Sequence, residues 1–276
     1  MTDAPRLAII AGAGLLPEML ANQCRATGQA YVVVTFPTVP LPWAGAHPTL
    51  AARFEHLGAM FQKLHDHHCA KAVFAGAMTR PHLDLTQLDD TSRRLVAALG
   101  AGDDTTLRAS ARLFAENGLD VVAPQAILPD LQCDPGVMGR IAPGAADLAD
   151  IARAAAIVTA LGRVDVGQGA VVAQGLCLGL ESLQGTDVML DFVARTAENL
   201  RPDPNGARGV LYKACKPDQD ARLDLPAIGP DTVAAARAAG LAGIALEAGQ
   251  VMILNRAETL AAADRAGLFV FGYQVP

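Results

Sequence analysis

The densest polar chemistry in the sequence lies between Lys213 and Gly229, KACKPDQDARLDLPAIG, directly after the apolar run that ends at Lys213. If Asp220-Ala221-Arg222-Leu223-Asp224 is extended, alternate side chains share a face, and Asp220, Arg222 and Asp224 point the same way. Two carboxylates astride a guanidinium, with Lys213 and Lys216 near, could hold a metal, activate water and neutralise phosphate charge. A solvated, salt-bridged turn would use the same residue types. The crowding of charges just before the Pro226 turn weighs toward chemistry.

Two glycine loops form a second group of candidates. Gly12-Ala13-Gly14-Leu15-Leu16-Pro17 stands between a strand-like and a helix-like stretch, where backbone N–H groups and the helix dipole favour a phosphate. It fails as a nicotinamide fingerprint. Its sixth position is Pro17, and Thr35-Phe36-Pro37 stands where an acidic residue should grip a ribose. The second loop, Gly76 to Pro81, follows another strand and carries Thr79 and Arg80; the planar fork of Arg80 suits a phosphate or a uracil carbonyl. A plain glycine turn and a surface arginine are the alternatives. Gly12, Gly14, Leu15, Leu16, Gly76, Thr79 and Arg80 are the candidate substrate contacts.

Glu181 and Gly185-Thr186-Asp187 lie at a helix start, where Thr186 or Asp187 would cap free N–H groups. Functionally, Thr186 would touch substrate and Asp187 would add a metal-binding carboxylate. Asp103-Asp104 divides similarly, with capping expected of Asp104. His65-Asp66-His67-His68 resembles a metal site, yet consecutive helix residues diverge, and imidazoles at a helix end are explained by the dipole.

The elements that must carry these residues alternate. Leu7–Ala11, Tyr31–Thr35, Lys71–Ala75 and Leu119–Ala123 are expected strands; the stretches Leu16–Thr27, Leu57–His68, Leu83–Leu99 and Thr105–Asn117 are expected helices. That order implies a parallel sheet with right-handed crossovers. Prolines and glycines break the pattern between about 124 and 143. The expected division is a Rossmann-like nucleotide-binding domain over 1–130, a linker over 131–144 and a catalytic α/β domain over 145–276. In the last, a hairpin of 243–246 with 251–254 would make the sheet mixed.

Composition narrows the classes. The formal charge of −6 and the scattered Lys/Arg residues leave no footprint for nucleic acid. Five dispersed cysteines without a CxxC pair fit reduced cytosolic thiols. The N-terminus lacks a basic signal-peptide region, and no apolar stretch approaches the ~18–20 residues of a membrane span.

IIAGAGLLPEML, FAGAMTRP, GDDTTLR, LESLQGTD, KPDQDARLDLPAIGPDT and LEAGQVMIL occur in this order along nearly the whole chain. Together they resemble the LpxI-type UDP-2,3-diacylglucosamine pyrophosphatases, QDARLDLPAIG being the most specific motif. Gln184 departs from the Glu expected before Gly-Thr-Asp, which argues against a metal role there. The resemblance implies a cytoplasmic, Mg²⁺-assisted hydrolase of lipid A biosynthesis. It would split UDP-2,3-diacylglucosamine into UMP and 2,3-diacylglucosamine 1-phosphate (lipid X), with an acyl-binding cleft between its domains. It makes Asp224 essential and Gly12, Gly14, Thr79 and Arg80 substrate-contacting. On this reading Asp224 holds Mg²⁺ or orients water, supported by Asp220 or Asp187, while Arg222 and Lys213 stabilise phosphoryl charge. Peripheral contact with the inner membrane is the most expected of a membrane; the sequence is silent on oligomeric state and leaves a homodimer open. The competing readings are a nicotinamide-dependent oxidoreductase and a non-catalytic nucleotide-sugar or lipid carrier.

Overall fold

The computed structural model of the protein describes residues 5–78, 82–98, 103–217, 219–220 and 222–275. The chain forms two compact units, Met1–Pro129 with Asp220–Asp224, and Asp130–Gln219 with Leu225–Pro276. All five cysteines are free thiols.

The first unit is built on a five-stranded, wholly parallel sheet. Its strands are β1 (Arg6–Ala11), β2 (Tyr31–Thr35), β3 (Thr49–Ala51), β4 (Cys69–Ala75) and β5 (Asp120–Val121), in the order β3-β2-β1-β4-β5. β1 and β2 read as continuous apolar runs because helices cover both faces of such a sheet. Helix α1 (Leu16–Thr27) buries Leu20, Ala21 and Cys24 and packs on β1 and β2. Ala8 and Ile10 of β1 point into a core with α2 (Leu57–Asp66) and α4 (Asp103–Glu116), through Met60, Leu64, Leu113 and Phe114. Helix α3 (Asp90–Ala98) is shorter than the expected Leu83–Leu99. Asp84 holds a turn by accepting from the Thr86 N–H at 3.0 Å, and Asp89 starts the helix by accepting from the Ser92 N–H at 2.7 Å. Strand β3 was not expected, since three residues after a proline carry no periodicity.

The second unit holds a six-stranded mixed sheet. Its strands are β6 (Gly136–Val137), β7 (Gly169–Ala173), β8 (Leu176–Leu180), β9 (Val210–Lys213), β11 (Gly243–Glu247) and β13 (Phe269–Tyr273), in the order β6-β13-β11-β9-β7-β8. Alternate residues feed two cores. Val171, Leu211, Ile244 and Val270 meet α6 (Gly185–Leu200), α7 (Pro230–Ala238) and α8 (Arg256–Ala266). Ala170, Tyr212, Ala245 and Phe269 meet α5 (Ala145–Arg163).

The sheet is mixed, but not through the expected hairpin. β11 runs parallel to both β9 and β13, while Met252–Ile253, strand β12, joins β10 (Ala227–Ile228) in a separate parallel pair. The turn at 247–250 therefore carries the chain from one sheet to another. The antiparallel pairings are β7 with β8, β7 with β9, and β6 with β13. The β7–β8 turn puts Gln174 (φ 53°) and Gly175 (φ 79°) in left-handed conformations, as a two-residue hairpin loop of the favoured twist requires. Buried Asp150 of α5 stabilises it, its carboxylate accepting from the N–H groups of Gln174 at 2.9 Å and Gly175 at 2.7 Å.

In the first unit, Gly12 donates to the Ala75 carbonyl at 2.7 Å, and Ala13 and Ala77 exchange backbone hydrogen bonds at 2.8 and 3.0 Å. A Cβ on Gly76 (φ +84°) would lie 2.3 Å from the Ala13 oxygen, whereas one on Gly14 (φ +98°) would meet nothing within 4 Å. Gly76→Ala should therefore lose about 2–4 kcal/mol, from backbone strain plus overpacking. Gly14→Ala should lose only about 1–2 kcal/mol, from backbone conformation. Thermal unfolding of the two variants compares them; equal losses would show that the clasp does not set the requirement at Gly76.

Candidate functional site

The hydrogen-bonded clasp brings the two glycine loops together at the carboxyl edge of the first sheet, where open α/β sheets bind ligands. Close backbone approach accounts for Gly12 as well as Gly76, because a Cβ on Gly12 would lie 2.5 Å from the Ala77 oxygen. Leu16 is buried in the first turn of α1, and Leu15, 37% exposed, stands at the helix start without a side-chain cap. The N–H groups of that turn remain open to a ligand's negative charge. Thr79 and Arg80 lie outside the described residues, as do the side chains of Asp103 and Asp104.

The Asp220–Asp224 segment belongs to the first unit and is not extended. The Asp220 carbonyl accepts from the Leu223 N–H at 2.9 Å and the Asp224 N–H at 3.4 Å. The Asp220 carboxylate accepts from the Arg222 N–H at 3.0 Å and grips its guanidinium at 2.7 Å. These local bonds outcompete an extended strand, as Asp commonly does two residues ahead of its own N–H partner. The alternation that would have aligned Asp220, Arg222 and Asp224 is lost. Leu223 is buried in the first unit's core, while the flanking Arg222 and Asp224 are exposed. Arg222 beside Asp220 is the foremost cause holding the Asp220 carboxyl below its usual range, helped by the Arg222 N–H and by Arg108.

In the second unit, Lys213 at the end of β9 is buried, with its side chain 5% exposed. Its Nζ donates to Thr186 Oγ1 at 2.6 Å and to the Ala227 carbonyl at 3.4 Å, and lies 3.6 Å from Glu181 Oε2. Thr186 Oγ1 in turn donates to Glu181 Oε2 at 3.1 Å, so the hydroxyl bridges the ion pair. Gly169 makes room for this carboxylate, since a Cβ there would fall 2.3 Å from Glu181 Oε2. Thr186 is thus not the helix cap; Gln184 occupies that position, and its Nε2 donates to the Leu180 carbonyl at 3.1 Å. Asp187 is exposed in the first turn of α6. The pairing of Glu181 with Lys213 had no sequence signal, because distant residues meet only once the sheet forms.

The histidines near β4 go separate ways. His65 Nε2 donates to the Asn117 carbonyl at 2.7 Å, and His67 Nδ1 lies 3.4 Å from Arg6. Among the described residues, no three His, Cys, Asp or Glu side chains gather in a way that could hold a metal ion.

The family model for the LpxI N-terminal domain matches residues 6–131, and that for the LpxI C-terminal domain matches residues 134–271. The chain belongs to the LpxI family. It is 36% identical over 271 residues to the UDP-2,3-diacylglucosamine pyrophosphatase LpxI of Caulobacter vibrioides, covering 97% of each chain. Among solved structures it is similar to CobK precorrin-6A reductase, at 15% identity and a TM-score of 0.35 over 99% of this chain and 90% of that one. That likeness is too slight to bear on fold or function.

Two outcomes follow from the charges. Lys213→Met should destabilise the second unit by about 3–5 kcal/mol, because it leaves Glu181 buried without its counter-charge. Adding Glu181→Gln should recover part of the loss in a double-mutant cycle by thermal unfolding; additive losses would show that the pair is not coupled. For Asp220 the folded pKa is depressed, so its stabilisation is fully present above the ordinary carboxylate range and is lost as pH falls through the folded value. Asp220→Asn should flatten the acid limb of the stability–pH curve; an unchanged limb would contradict the pairing with Arg222.

Proposed function

We propose that this chain hydrolyses the pyrophosphate of UDP-2,3-diacylglucosamine to UMP and 2,3-diacylglucosamine 1-phosphate (lipid X), a step of lipid A biosynthesis. The observation that carries the proposal is near full-length identity, 36% over 97% of both chains, to a protein named for that activity. The clasped glycine loops add a backbone surface suited to phosphate, on a fold without a nicotinamide fingerprint. No helix among the described residues is long and apolar enough to cross a membrane. The acylated substrate would be met by peripheral contact with the inner membrane.

In the reaction, a water oxygen forms a bond to phosphorus, the P–O bond of the anhydride breaks, and a proton leaves the attacking water. The bridging oxygen departs with the other phosphate. Asp224 is the residue assigned to this chemistry. Its exposed carboxylate accepts the proton or orients the water, on a turn whose backbone is fixed by Asp220. Mg²⁺ is commonly held by one or two carboxylates plus substrate phosphates, so an exposed Asp224 suits it without an all-protein cage. When bound, Mg²⁺ would supply charge neutralisation at the phosphoryl oxygens. Asp187 is the carboxylate assigned to it in the second unit. Arg222 would keep Asp220 ionised and offer its outer face to a phosphoryl oxygen. In the second unit, Lys213 and Thr186 would meet a phosphate only by exchanging existing hydrogen bonds, so Lys213 enters as a charge held ready by Glu181.

Asp224→Ala should bind substrate with near wild-type affinity and lose at least about 10²-fold in turnover, the scale of a general-base contribution. The assay follows UMP release from UDP-2,3-diacylglucosamine, with Mg²⁺ and with excess EDTA. Wild-type turnover that EDTA abolishes supports the metal assignment. Near wild-type turnover by Asp224→Ala removes Asp224 from the mechanism.

A further inference from the structure

Among the described residues, the buried acidic side chains are Asp150 and Glu181. Asp150 is spent on backbone, its carboxylate closing the β7–β8 turn through two N–H groups. Glu181 is placed differently. Its carboxylate meets two side chains, Thr186 and Lys213, and both belong to the residues assigned to substrate or to phosphoryl charge.

The polarity of these contacts is fixed by their chemistry. An ionised carboxylate only accepts, so the Thr186 hydroxyl gives its one hydrogen to Glu181 Oε2 at 3.1 Å. A lone pair is left for the Lys213 ammonium, which donates into it at 2.6 Å and into the Ala227 carbonyl at 3.4 Å. Two things therefore depend on Glu181. It sets the direction of the Thr186 hydroxyl, and it supplies the counter-charge, 3.6 Å away, that a lysine side chain only 5% exposed needs. Neighbouring charges are otherwise engaged. Glu247, at the end of β11, accepts from the Cys215 N–H at 3.0 Å, Lys216 pairs with Asp165 at 2.7 Å, and Asp187 is exposed.

We propose that Glu181 is a positioning residue, holding the Lys213 ammonium charged and in one orientation, through Thr186 and through its own charge. The proposal rests on the pyrophosphatase reading for the phosphoryl group that Lys213 serves. While its bond to Glu181 stands, Thr186 has no hydrogen to give a phosphoryl oxygen, so the donor at this place is the ammonium. A donor fixed in advance costs no reorganisation when charge develops on those oxygens, so its loss falls on turnover more than on binding.

The test uses the full-length chain, with folding checked by circular dichroism and thermal unfolding. Glu181→Gln keeps the shape and an acceptor for Thr186 but removes the charge, and Glu181→Asp restores the charge. If Glu181→Gln fails to fold, Gly169→Ala takes its place; it keeps both charges and pushes the carboxylate aside, since its Cβ would fall 2.3 Å from Glu181 Oε2. UMP release from UDP-2,3-diacylglucosamine gives kcat and KM. The chain has four lysines, Lys63, Lys71, Lys213 and Lys216, so lysine-selective ¹⁵N labelling gives a simple ammonium spectrum, with Lys213 assigned by its loss in Lys213→Arg.

The expected result for Glu181→Gln or Gly169→Ala is a kcat at least about tenfold lower with KM little changed, and a lost or shifted Lys213 ammonium signal. Glu181→Asp should regain part of the kcat and of the signal. A folded Glu181→Gln with wild-type kcat and an unchanged signal overturns the proposal. So does an equal loss in Glu181→Gln and Glu181→Asp that tracks their thermal stability, which marks a structural residue only. Wild type that releases no UMP removes the pyrophosphatase reading. The spectrum then still decides the local question: a Lys213 signal that depends on Glu181 upholds the hold on the ammonium, and one that does not overturns it.

Discussion

The approach of two backbone segments at the end of the first sheet constrains the rest of that unit. β1 and β4 are neighbours along their whole length, so the loops that leave them must either diverge or touch. They touch, through reciprocal bonds between Ala13 and Ala77, at distances that leave no room for a Cβ on Gly12 or Gly76. Two consequences follow from that contact. The chain entering α1 is anchored, so the free N–H groups of the first turn are held in place rather than fluctuating. The chain leaving β4 sets Met78 in the wall of an apolar space under α3 and α4. The first turn of α1 and this apolar space are thus set side by side by one backbone contact.

The second unit organises its polar residues through burial instead. Removing an ammonium and a carboxylate from water costs several kcal/mol per ion, and the pair is tolerated only when its remaining hydrogen-bonding capacity is met. Lys213 and Glu181 meet that condition through the Thr186 hydroxyl and the Ala227 carbonyl. The arrangement ties β9, the residue after β8, the first turn of α6 and β10 to one another. Gly169 is the complementary vacancy on β7. Replacing such a pair by well-packed hydrophobic residues is often neutral or stabilising, so what the pair contributes is a fixed arrangement of these four elements rather than a large net stability.

Much of the framework was legible in the sequence because buried parallel strands and amphipathic helices leave strong periodic signals. The strand Tyr31–Thr35 and the helix Leu16–Thr27 fall at their expected bounds. The expected mixed sheet is present, but the expected hairpin is not. The runs at 243 and 251 look alike locally, and only tertiary pairing sends one to the large sheet and the other to β10. The extended reading of Asp220–Asp224 failed for a related reason. An alternating polar pattern is equally compatible with a turn when an Asp can bond the N–H two residues on, and here it does. The partnership of Lys213 with Glu181 and the cavity under α3 and α4 depend on residues far apart in the chain, for which one sequence offers no signal.

The turn that carries Asp224 also shows which force holds an exposed carboxylate in place. Asp220 and Arg222 form its most conspicuous pair, but the arginine side chain is 56% exposed and the aspartate 26%, and such ion pairs contribute about 0–1 kcal/mol. Leu223, between them and Asp224, is 6% exposed in the first unit's core, and burying a leucine contributes about 1.5–3 kcal/mol. The apolar residue is therefore the stronger anchor. Asp220 supplies shape rather than strength, since its carbonyl and carboxylate fold the backbone so that Leu223 turns inward while Asp224 remains exposed. This explains why the chain contributes Asp220–Asp224 to the first unit before returning to the second at Leu225. A flexible polar loop could carry the same carboxylate. A loop pinned by one buried leucine carries it at a fixed place relative to the first unit's core, which acid–base or metal chemistry at Asp224 would require.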